Sequence, residues 1–299
     1  MAFARLLTGG VIVVATTVEQ AIIAERFGAR AVIIMDKAAM GPKNPRMPLL
    51  GPDPGSIRSA LSNTMIPVIG RVRVGHTMEA KVMESCGVAL IDESEVLTES
   101  SDIYIKKSAL DTPCISGISN LEEALKRIAE GATMLRSRCA DENTPNISDV
   151  LKHYQTVQSD ITALAGKTDD ERKKYAEDNG VPLPLVSQVV RLRRLPVPFI
   201  ADGGIMLPMD VAMAMDLGYD GVIASQALFQ AANPEKRMRA LVLAAIHYKN
   251  PTAIASIAED CSDVPGGGMP GGPPGAMPVR PPGGAVGMGM GAMRPPPPA

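Results

Sequence analysis

The chain has 299 residues, 45% hydrophobic and 21% charged, and its 30 basic and 32 acidic side chains leave a formal charge of -2 with a pI near 6.0. That length suits one large core, and the near-neutral balance supplies no basic face of the kind a nucleic-acid backbone requires. The longest apolar runs, such as 11–15 and 31–35, are strand-sized and far short of the roughly 20 residues that cross a bilayer, so no membrane partner is expected. Met1 to Leu7 carry one arginine and too short an apolar run for a secretory signal, so a cytoplasmic location is expected. Cys86, Cys114, Cys139 and Cys261 lie far apart with no C-x-x-C pair, and read as small apolar residues rather than metal ligands or a disulfide framework.

Short β-branched runs then alternate with helical patterns, the signature of repeated βα units around a parallel sheet. The predicted strands are 11–15, 31–35, 67–72, 88–92, 113–118, 134–136, 197–201 and 221–224. Between them, 18–27, 78–85, 121–130 and 209–217 space apolar residues at three and four, as helices covering a barrel do. Gly28, Gly87, Gly131 and Gly218 each close a helical run before a strand, where a left-handed cap is expected. This regular count favours a closed (β/α)8 TIM barrel over a doubly wound open sheet. Residues 146–195 hold too much helical sequence for one crossover and predict two or three extra helices after strand six. The barrel is expected over 1–260, and 261–299, nearly all Gly, Pro, Met and Ala, is expected to be a disordered tail.

In such a barrel the chemistry belongs to the C-terminal strand ends. There the sequence carries Arg73-Val74-Gly75-His76 and Ile91-Asp92-Glu93-Ser94-Glu95-Val96-Leu97-Thr98, with Gly9-Gly10-Val11-Ile12 upstream and Asn233-Pro234-Glu235-Lys236 downstream. These runs resemble the PdxS/SNZ family, the synthase (lyase) subunit of glutamine-dependent pyridoxal 5′-phosphate synthase, over about residues 6 to 258. The resemblance implies an enzyme that condenses a pentose phosphate, a triose phosphate and ammonia through two imine-forming lysines.

Carried over residue by residue, that resemblance meets departures. The first lysine position is Arg71 and the second is Arg138, and a guanidinium stays protonated and forms no imine. The strand-one acid position is Val14. The glycine-rich phosphate loop after strand six is Asp141-Glu142-Asn143-Thr144-Pro145-Asn146, whose acids repel a phosphate and whose proline removes a donor. A helix arginine thought to meet the triose phosphate is Gln155, and the Gly-Ser-Gly after strand eight is Ser225-Gln226-Ala227. Asp92, Glu95, Arg136, Gly203 and Gly204 remain, so a degenerate phosphate site over Asn143, Gln155, Gly203, Gly204, Ser225 and Gln226 is the reading, with residual phosphosugar binding. His76, His153 and His247 read as structural or helix-surface residues, and Arg191, Arg193 and Arg194 as a solvated helix end. No cofactor and no metal are expected.

The expected function follows: a non-catalytic subunit-like protein of vitamin B6 biosynthesis that joins catalytic PdxS-type paralogues in hexameric or dodecameric rings and modulates them. The alternative is an active synthase subunit using ribose 5-phosphate, glyceraldehyde 3-phosphate and ammonia. Only eight residues precede Gly9, fewer than the family's glutaminase-docking segment, so glutaminase is not carried over as a partner. Phe199-Ile200-Ala201-Asp202-Gly203-Gly204-Ile205 also resembles, locally, the phosphate-binding strand of inosinate-type dehydrogenases, whose catalytic-cysteine loop this sequence lacks.

Overall fold

A computed structural model describes residues 2–35, 51–98, 103–139 and 147–261. The expected tail, the loop after the second strand, and Asn143 with the segment around it lie outside the described residues, apart from the loop's last positions and Cys261.

Eight parallel strands close into one barrel in the order β1 to β8. They are β1 Val11–Ala15, β2 Ala31–Ile34, β3 Val68–Arg73, β4 Leu90–Ser94, β5 Cys114–Ile118, β6 Ala132–Ser137, β7 Phe199–Asp202 and β8 Val222–Ala224. Every predicted strand is present, and β6 is twice its expected length because Ala132 and Ser137, outside the predicted 134–136, also pair with β5, opposite Cys114 and Ile118. Closure comes where β8 pairs with β1, Val11 opposite Val222.

Helices α1 Ala2–Leu6, α2 Val18–Arg26, α3 Pro54–Asn63, α4 Thr77–Cys86, α5 Leu121–Ala129, α6 Ser148–Ala165, α7 Asp169–Asp178, α8 Leu183–Leu192, α9 Pro208–Leu217, α10 Pro234–His247 and α11 Pro251–Glu259 account for the helical sequence. Their starts are written locally. Thr17 and Asn120 cap α2 and α5 by accepting the amides of Gln20 and Glu123, and α3, α9, α10 and α11 place proline in the first turn, where its missing donor costs nothing. Gly28, Gly87, Gly131 and Gly218 have φ of 90°, 88°, 107° and 117°, as the predicted helix ends require. The insertion after β6 is the three-helix set α6 to α8. Among the described residues no helix is long and apolar enough to cross a membrane.

Two apolar layers follow from strand alternation. Val11, Val13, Val32, Ile34, Leu135 and Ala201 point out beneath the helices. Ile12, Val14, Ile33, Ile69, Leu90, Ile115, Met134, Ile200 and Ile223 point inward and fill the barrel.

Candidate functional site

The inward layer changes character one step toward the C-terminal mouth. Two residues beyond Ile69, Leu90, Met134 and Ile200, the same strand faces present Arg71, Asp92, Arg136 and Asp202, and Glu95 joins them from the turn after β4. None of the five is more than 6% exposed. Charges so buried persist only when paired and hydrogen-bonded.

The pairing is centred on Asp92. Arg71 donates from Nε to Asp92 Oδ2 at 2.7 Å and from Nη1 to the Met35 sulfur at 3.3 Å. Arg136 donates from Nε to Asp92 Oδ1 at 2.9 Å, and from Nη2 to Glu95 Oε2 at 2.8 Å and the Glu93 carbonyl at 3.2 Å. Asp202 holds back: its Oδ2 lies 3.6 Å from Arg71 Nη2 and 3.4 Å from Arg136 Nη1. Burial disfavours the Asp92 charge, but Arg136 and Arg71 together more than reverse this, and its carboxyl titrates below the usual range. Burial likewise opposes the Arg136 charge, and Asp92, Glu95 and Asp202 outweigh it, holding the guanidinium well above its ordinary value. Burial pushes Asp202 upward, the two arginines offset this only in part, and Asp92 and Glu95 add repulsion.

At the rim, Arg138 follows β6 and forms an ion pair through Nη2 with Glu123 Oε1 at 2.8 Å, with Nε 4.0 Å from Glu95 Oε1. Glu123 is held in place by the amide and hydroxyl of Ser119. Glu95 lies flat across β5, where a Cβ on Gly117 would come within 2.5 Å of its Oε2.

The two signature runs have structural work of their own. Glu93 faces outward and accepts the amides of Gly75 at 3.0 Å and Ile105 at 2.7 Å, and the Lys107 ammonium at 2.7 Å. That ties the turn after β3 to the segment before β5. His76 caps α4 by accepting the Glu79 amide on Nδ1 at 3.1 Å, which fits its structural reading. His247 is exposed, whereas His153 is half-buried, because neighbouring elements flank α6 on both sides; burial lowers its pKa ahead of an opposing effect from Asp149.

The remaining expected positions divide. Val14 is fully buried within the inward apolar layer. Gly203 and Gly204 turn the chain directly after Asp202 with φ of 112° and 69°. Ser225 is buried and accepts the Ala227 amide, and Gln226 is half-buried beside it in a short 3-10 turn. Gln155 is exposed on α6. Arg191 and Arg193 are exposed, and Arg194 forms a forked pair with Asp220 at 2.6 and 2.7 Å. Asp202, Glu123 and Met35 are the members that sequence reasoning passed over. Among the described residues no group of three or more His, Cys, Asp or Glu side chains is set to hold a metal ion.

Chemically, this mouth presents two buried guanidiniums and a rim guanidinium, each bound to carboxylate. Lys107, the buried lysine, is held by Glu93 and Glu130 at 2.7 and 3.3 Å. The fold and this cluster define a (β/α)8 barrel whose described C-terminal strand ends carry a buried, ion-paired set of side chains.

The SOR/SNZ family pattern matches residues 1–202, and the chain belongs to that family. It is similar to the "Pyridoxal 5'-phosphate synthase subunit PdxS" of Dictyoglomus turgidum, 40% identical over 261 residues that cover 87% of this chain and 88% of that one. The proteins of the same name from Methanosarcina mazei and Thermus thermophilus are 40% and 39% identical, covering 86% and 87% of this chain and 85% and 89% of their own. The pattern of the thiazole biosynthesis protein ThiG matches residues 178–258, the part that includes the Gly203-Gly204 turn.

Proposed function

We propose that this chain is a non-catalytic member of its family, acting in vitamin B6 biosynthesis by assembling with lysine-bearing PdxS-type subunits and modulating them. The role in B6 biosynthesis rests on the relatives, each named as a pyridoxal 5′-phosphate synthase subunit. The observation that carries the loss of catalysis is Arg71. It stands where the family resemblance expects an imine-forming lysine, and it is fully buried with Nε on Asp92 and Nη1 on Met35. An imine needs a neutral primary amine, which a guanidinium clamped between carboxylates does not offer. Arg138, at the second such position, is engaged by Glu123 in the same way.

Retention of the barrel with Asp92, Glu95 and Arg136 favours a protein kept for its surface. Co-expression with a lysine-bearing PdxS subunit, followed by native mass spectrometry, tests this. Mixed rings and an altered rate of pyridoxal 5′-phosphate formation are expected. Two separate homo-oligomers and an unchanged rate would contradict the partnership.

A further inference from the structure

At the N-terminal end of the barrel, opposite the ion-paired cluster, the segment leading into β7 and the turn before β8 border two cavities of about 290 and 360 Å3. Arg194, Leu195, Val197 and Asp220 line both, so the two form one groove that runs from α1 to α6. Leu192, 43% exposed, and the prolines on either side of Val197 give it an apolar floor. Its charges do not balance. Asp220, the one carboxylate among the lining residues, is occupied by the fork of Arg194 at 2.6 and 2.7 Å and by the Phe199 amide at 2.9 Å. Arg5, which lines one cavity, and Arg193, which lines the other, make no ion pair among the described residues. Arg193 also closes α8 at φ 56° and ψ 23°, and among the described residues no other non-glycine residue has a positive φ. A Cβ is strained in that left-handed region, and glycine takes the place at the ends of α4 and α9. The helix dipole accounts for a cation such as Arg191 in the last turn of α8, but not for a side chain at 193.

We propose that this groove docks an extended acidic and apolar segment of a partner protein, and that Arg193 is kept at a cost to the fold because its guanidinium meets that segment's carboxylates. Charge complementarity gives the sign of the occupant, since the arginines left over call for acid and a guanidinium fork matches a carboxylate. Placement gives its form. One cavity holds Arg5, the other holds Arg193, and Arg194 stands between them, an array that suits carboxylates spaced along a chain rather than a single small anion. The floor of Leu192 and the prolines takes the apolar side chains between those carboxylates. None of these residues belongs to the cluster that argues for the loss of catalysis, so failure here leaves that reading standing.

Fluorescence anisotropy of the full chain with a labelled peptide of alternating leucine and glutamate tests this, beside a peptide with lysine in place of glutamate. The native protein should bind the glutamate peptide, more weakly as salt rises, and should not bind the lysine peptide. Arg193→Gly should raise Tm by about 2–4 °C, because glycine relieves the left-handed strain, and should weaken the glutamate peptide roughly tenfold. Arg5→Ala should weaken it by a similar factor with Tm unchanged. No binding of the glutamate peptide, equal binding by native protein and Arg193→Gly, or a Tm that does not rise in that variant would each overturn the proposal. Displacement of the peptide by an equal concentration of inorganic pyrophosphate would also overturn it, in favour of a small-anion site.

Discussion

Arg71 and Arg136, from strands on opposite sides of β4 and β5, direct their Nε hydrogens at the two oxygens of a single carboxylate, Asp92, at 2.7 and 2.9 Å. Asp92 is thus the keystone of the mouth: it neutralises one charge and fixes the orientation of both forks.

Asp92→Asn removes the charge and half of the acceptor capacity while preserving shape. Breaking a buried pair from one side costs about 3–5 kcal/mol, and a loss in that range is expected in urea unfolding. A loss within the range of a surface substitution, about 0.5 kcal/mol, would show that the cluster contributes little.

Acid should act through the same residue. The Asp92 carboxyl is depressed in the folded state, so its contribution is present above the unfolded value of about 3.9 and is lost as pH falls through the folded value. The unfolding free energy of the native protein should therefore decline more steeply on acidification than that of Asp92→Asn. Asp202 contributes the opposite sign: its raised value favours the fold at low pH and is lost as pH rises.

Gly117→Ala should destabilise by about 1–3 kcal/mol, because the new Cβ would fall 2.5 Å from the Glu95 carboxylate and displace it from Arg136. Thermal unfolding of the variant checks this; Gly117 is a strand residue outside the positive-φ glycines, so the loss reads the steric conflict with Glu95.

Thiol chemistry should divide the cysteines in two. Cys86 and Cys261 are partly exposed and should react rapidly with an aromatic disulfide reagent at mildly alkaline pH. Cys114 and Cys139 are buried, and burial pushes the Cys114 thiol up to about 11, so both should react only on unfolding. Four fast thiols would contradict the packing around β5.

The barrel was legible because alternation of period two and helical spacing of three and four recur through the chain, and the helix-closing glycines mark where each unit restarts. Asp92 and Glu95 were legible from the signature run they sit in, and Arg71 and Arg136 from the positions that the family resemblance assigned them. Asp202 was not singled out, although it lies two residues beyond the inward Ile200, the same step that separates Arg71 from Ile69 and Arg136 from Met134. Strand parity alone places it in the barrel. Glu123 offered no comparable signal, since its pairing with Arg138 joins the first turn of α5 to the end of the following strand, a matter of how the two elements dock. His153, read as a helix-surface residue, is half-buried on α6 with Glu123 of α5 and Arg138 among the charges that act on it, a proximity that helical periodicity does not carry.

The central claim, that the arginine-bearing mouth forms no imine, is tested most directly by intact-mass spectrometry after incubation with ribose 5-phosphate and borohydride, with a lysine-bearing PdxS subunit treated in parallel. The account predicts a trapped pentose adduct on that subunit and none on this chain. A stoichiometric adduct mapped to any lysine of this chain would contradict it and restore the synthase reading.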